Sequence, residues 1–97
     1  MQNKYILESL ASDLKRVALG LHRGSFTMAD RFSKEALKRR QELKMDELKP
    51  YMKTLLNKLD ASLVGKQNEK KAEDALMYST LIQNYTTWYN SSHDNKK

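Results

Sequence analysis

LKMDELKPYMKTLL, residues 43–56, decides how many helices this chain has. Its apolar residues Leu48, Met52, Leu55 and Leu56 recur at threes and fours, and Met45 before them and Leu59 and Leu63 after them keep the same phase at about 100° per residue. The preceding stretch, SFTMADRFSKEALKRRQEL (25–43), carries a stripe of its own: Phe26, Ala29, Phe32, Ala36 and Leu43. Carried back onto that stretch, the later phase is rotated by well over a right angle, so one straight helix cannot bury both stripes in one core. Pro50 supplies the cause. It lacks an amide hydrogen, restrains Lys49 and prefers the first turn of a helix. A break is therefore expected between Lys44 and Pro50. The alternative is a single long helix kinked at Pro50, which would leave three helices.

Working outward, Ile6, Leu7, Leu10, Leu14, Val17, Ala18 and Leu21 fall on one face of a first helix, and Gly24 follows its basic last turn as a stop signal. The second helix opens at Ser25 or Thr27, where Thr27 and Asp30 have loose capping-box spacing. Gly65 ends the third, GKQNEKK connects, and a fourth runs from about Asn68 to Tyr89. The fold class is all-α: a small antiparallel up-and-down bundle of four helices, with residues 1–90 as one domain and 91–97 as a frayed polar tail.

A chain of 97 residues leaves room for one core, and the absence of cysteine rules out a disulfide framework or a thiolate metal site. Acids and bases interrupt the apolar residues of the N-terminus, so neither a signal-peptide core nor a membrane span is expected there, and the cytoplasm is the expected compartment. The formal charge of +6 is uneven. Residues 49–71 carry six bases against two acids, whereas 72–97 carry two against three.

KEALKRRQELK (34–44) is the most basic stretch. Asp30 precedes Lys34 by four, Glu35 precedes Arg39 by four and Lys38 precedes Glu42 by four, a mixed-sign pattern that fits a solvated helix face. The competing reading is a polyanion surface made from Arg31, Lys34, Lys38 and Arg39 with Lys49, Lys53 and Lys58. Arg40 falls beside the apolar stripe. There its stem would lie on the core edge and its guanidinium would reach water or a carboxylate; the sharper alternative is a pocket charge for an anionic ligand.

Signs of chemistry are few. A di-metal bundle site needs inward Glu-x-x-His pairs, and the sequence has none. His22 ends a helix, His93 lies in the tail, and Gly20, Gly24 and Gly65 are too scattered for a phosphate loop. No catalytic residue, metal ligand, cofactor site or small-molecule substrate is assigned, and an enzyme is not expected. The fourth helix is more informative: from Ala75 to Ser92 it has no Asp, Glu, Lys or Arg. Tyr78, Leu81, Tyr85, Trp88 and Tyr89 spread over a wider sector than a small bundle needs to bury. They form the expected contact surface, toward a second copy or a larger protein, while nucleic acid is the alternative partner.

Overall fold

The computed structural model describes the backbone of residues 2–94 and the side chains of 2–88. Over these residues the chain forms four helices and no strands: α1 (Asn3–His22), α2 (Phe26–Glu42), α3 (Pro50–Leu63) and α4 (Glu69–Asp94). Between α2 and α3 lies a 3-10 turn at Met45–Glu47, and Pro50 takes the first position of α3. The expected break is present. Two bonds between the Asn3 amide and the main chain of Lys44 hold it, one in each direction at 2.9 and 2.8 Å. The Tyr85 hydroxyl also accepts from the Lys49 amide at 3.3 Å.

Tertiary contacts give the directions. Asn3 meets Lys44 while Gly20 meets Ala29, so α1 and α2 run antiparallel. Ser79 donates to the Ala11 carbonyl at 2.7 Å, and Ala75 clusters with Val17 and Ala18, so α4 is antiparallel to α1. Tyr85 reaches Lys49 and Lys71 reaches Leu63, which sets α3 antiparallel to α4. The result is the up-down-up-down bundle, with α1 between α2 and α4 and α3 closing the other side.

The helix ends follow local rules. Ser25 donates to the Gly20 carbonyl at 2.8 Å and Gly24 to Leu21 at 3.2 Å, a Schellman stop with Gly24 at φ 75°. Asn68 accepts from the Lys71 amide at 2.9 Å and opens α4. Lys71 itself is buried, donating Nζ to the carbonyls of Leu63 (2.8 Å) and Gly65 (3.4 Å). It thereby satisfies the carbonyl end of α3. Desolvation holds its ammonium below the usual lysine value, opposed by the weaker pull of Asp30.

Two seams are lined by small residues. Gly20, Ala29, Ser33 and Ala36 separate α1 from α2, and a methyl at Gly20 would sit 3.0 Å from the Ala29 amide nitrogen. Ala11, Ala18, Ala72, Ala75 and Ser79 line the seam with α4. Opposite them, Met52, Leu56, Leu59 and Leu63 of α3 fill the core with Leu7, Leu10, Leu14 and Ile82. Three local expectations are corrected. Phe26 is 57% exposed, because Ala29 and Ser33 hold α2 too close to α1 for a ring at that position to enter. The capping box at Thr27 does not form: Ser25 is the cap residue, and it makes no side-chain bond to the helix. Helix α4 continues to Asp94, four residues into the stretch read as tail.

Candidate interaction surface

The basic residues are dispersed by the folds of α2 and α3. Lys34 pairs with Asp30 at 3.1 Å, as the spacing anticipated. Arg39 does not pair with Glu35. It reaches across to Asp13 on α1 and back to Glu42, each at 3.9 Å. Arg31 lies over the Phe32 ring, and Lys49 over the Trp88 ring at 5.5 Å. Lys38 points to solvent. On α3, helical rotation puts Lys53 on the flank of Asn57 and Asp60, toward α2, and Lys58 on the opposite flank, toward α4. These seven bases do not make one single-signed face.

Arg40 does what its position beside the stripe implied. Its Nη2 sits 3.3 Å from Asp60 and 3.2 Å from the Asn57 amide oxygen, and Nη1 lies 3.4 Å from the Met45 sulfur. The contact ties α2 to α3 across the break. Asp13, between Arg39 and Arg16, is a different case. Burial raises its carboxyl above the ordinary aspartate value of 3.8, and the guanidiniums, at 3.9 and 4.0 Å, are too far to reverse that.

Helix α4 divides the expected aromatic surface in two. Ile82 and Tyr85 turn inward. Tyr85 is 4% exposed, packs edge-on to Tyr51 with ring centres 5.7 Å apart, and spends its hydroxyl on Lys49. It is a core residue, which corrects its assignment to the contact surface. The cause is the seam beside it: with α1 drawn close, Tyr85 points into the wider space under the α2–α3 break. The Tyr89 side chain lies outside the described residues. Tyr78 is half-buried.

Leu81 and Trp88 remain outside, at 41% and 47% exposed, together with Leu76 and Met77, each 47%, and Tyr51 of α3, 60%. Tyr51, Thr54, Leu55 and Lys58 of α3 face Met77, Tyr78 and Leu81 of α4 across a groove of about 280 Å3. Beyond it, Leu76, Met77 and Leu81 form a shallower apolar hollow with Glu73 and Thr80. Leu76, Met77 and Tyr51 were not singled out from the sequence. The charge-free run from Ala75 contained the signal for the first two, but the side of α4 that would remain uncovered was not readable.

Among the described residues, no three His, Cys, Asp or Glu side chains converge as a metal site, and no helix is long and apolar enough to cross a membrane. What the α3–α4 flank offers is contact: apolar area with hydroxyls at its margin and two bordering cations, Lys49 over Trp88 and Lys58 beside the groove. Comparison with family models, curated proteins and solved structures returns no match for this chain.

Proposed function

We propose that this chain is a non-enzymatic binding protein whose contact surface is the outer α3–α4 flank, and that it works by protein–protein association in the cytoplasm. The observation that carries this reading is the exposed set Tyr51, Met77 and Leu81 on the groove, with Leu76 in the hollow beside it and Trp88 further along α4, on a molecule whose core is already filled. A helix apolar on both sides is ordinarily covered on both. Scattered exposed apolar residues need no explanation, whereas a contiguous patch of this kind marks a contact site. The alternative, an accessory nucleic-acid-binding protein, needs several unpaired bases along one side. Lys34 and Arg39 are engaged by acids, and Lys53 and Lys58 lie on opposite flanks of α3.

A photo-crosslinking residue placed at Leu81, in cells that produce the chain, tests the reading against the same residue at the exposed Lys15 of α1. Adducts are expected from position 81 and not from 15. No adduct at 81, or equal capture at both, would defeat it.

A further inference from the structure

Four exposed residues of α4 fall on a single line. Met77, Leu81, Asn84 and Trp88 are spaced four, three and four apart, the spacing of a two-helix seam, and all four are exposed. The buried side of the same helix, through Ala75, Ser79 and Ile82, is already occupied by the bundle. The outer line therefore lacks a partner helix.

We infer that the partner is a second copy of this chain, joined through an antiparallel α4–α4′ pair about a two-fold axis. This rests on the proposed use of the α3–α4 flank and names its occupant. The first argument is electrostatic. A two-fold contact sets a surface against its own copy, so a patch of one sign on it repels itself, whereas a neutral face has no such cost. The run without Asp, Glu, Lys or Arg extends from Ala75 to Ser92, and the exposed line from Met77 to Trp88 sits near its middle. With Met77 set against Trp88 of the other copy, residues 75–90 of the neutral run meet only one another. Of the bases in residues 49–71, Lys49 lies over Trp88 and Lys58 beside the groove, so each borders an end of the line rather than its middle, although each copy carries a formal charge of +6.

The direction follows from the start of the helix. Continued toward the N-terminus, the line passes through Asp74 and Lys70, which pair with each other at 3.7 Å. A parallel pair would stack Lys70 on Lys70 and Asp74 on Asp74 of the other copy. The antiparallel pair moves both away, opposes the helix dipoles, and sets Met77 against Trp88 of the other copy, a sulfur–aromatic contact made twice.

Area sets the scale of the contact. The exposed parts of Tyr51, Leu76, Met77, Leu81 and Trp88 amount to roughly 500 Å2 per copy at about 200 Å2 for a large side chain. With Thr80, Asn84 and Thr87 at the rim, this reaches the low end of specific interfaces, about 600 to 800 Å2 per partner, so a reversible dimer of micromolar affinity is expected.

The chain carries one tryptophan, on the line itself, and no cysteine. Sedimentation of the full chain from about 5 to 500 μM should show a monomer–dimer equilibrium, with the Trp88 emission moving to shorter wavelength as dimer forms. Leu81→Gln, which should leave the helical spectrum unchanged, should weaken the dimer by about tenfold or more. Met77→Cys mixed with Trp88→Cys should then oxidise to the mixed disulfide, while Met77→Cys alone should not. A disulfide of Met77→Cys with itself would overturn the antiparallel arrangement. A monomer throughout would overturn self-pairing. In that case the crosslink at position 81 separates the two ideas: an adduct to a different protein leaves the contact surface standing without self-pairing, and no adduct removes both.

Discussion

Helix α4 has small residues where it is buried against α1 and large ones where it is exposed. Ala72, Ala75 and Ser79 face α1 across a seam close enough for the Ser79 hydroxyl to reach the Ala11 carbonyl. Leu76, Met77, Leu81 and Trp88, with far more apolar surface, face out. Helix α3 shows the ordinary arrangement, with Met52, Leu56, Leu59 and Leu63 inside. The difference teaches that burial on α4 was set by how close the backbones come, not by side-chain hydrophobicity. What that choice left outside is the candidate contact surface.

Neighbouring residues on the two sides test the comparison most severely. Ile82→Ala, at a fully buried site, should cost about 2–5 kcal/mol of stability in urea unfolding, and Leu81→Ala below about 0.5 kcal/mol when measured on the monomer. Comparable costs would mean that the two sides do not differ as described. Filling the seam is the next test. Ala75→Leu should lose about 1–3 kcal/mol through overpacking, whereas Thr80→Leu on the exposed side should be nearly neutral in the monomer. A tolerated Ala75→Leu would show that the seam yields.

Charged contacts sharpen the same contrast at smaller scale. Arg40→Ala should cost about 1 kcal/mol, since the guanidinium is mostly covered and bridges α2 to α3, while Asp60 keeps access to water. Lys34→Glu with Lys38→Glu should change stability by well under about 1 kcal/mol, because exposed pairs contribute little. A larger effect there would mark this face as more than solvated.

Asp13 gives a direction rather than a magnitude. Its folded carboxyl lies above the ordinary value of 3.8, so the folded state binds the proton more readily than the unfolded chain. Its contribution is then fully present below that ordinary value and is lost as pH rises through the folded value. Relative to Asp13→Asn, the natural chain should gain stability as pH falls through this window, read from paired urea midpoints between about pH 3 and 7. The opposite slope would mean that Arg39 and Arg16 outweigh desolvation.

Much of the fold was legible along the chain. The stop at Gly24 and the break before Pro50 are local events, each governed by one or two residues, and α3 ends two residues before Gly65. The inward phases of α1 and α3 were equally clear, because each helix has a single apolar side. Asn3 was not legible. Its two bonds to Lys44 span 41 positions, and nothing nearby distinguishes it from a surface asparagine. Phe26 misled because its spacing fits the α2 stripe, whereas its depth depends on how closely α1 approaches.

The sequence by itself determined four helices, their order and the charge-free span of the last, since periodicity, caps and composition are properties of consecutive residues. Only the tertiary structure decided which way α4 turned. A helix with apolar residues nearly all round has no strong preferred direction of its own. Its orientation was chosen by α1, whose close approach admits alanine and serine but not leucine or tryptophan. That one rotation took Tyr85 into the core and left Leu81 and Trp88 outside, beside Tyr51 from a helix distant in sequence. The basic residues of α2 and α3 were divided by the same kind of event: partners on other helices, Asp13 and Asp60, drew Arg39 and Arg40 to opposite sides.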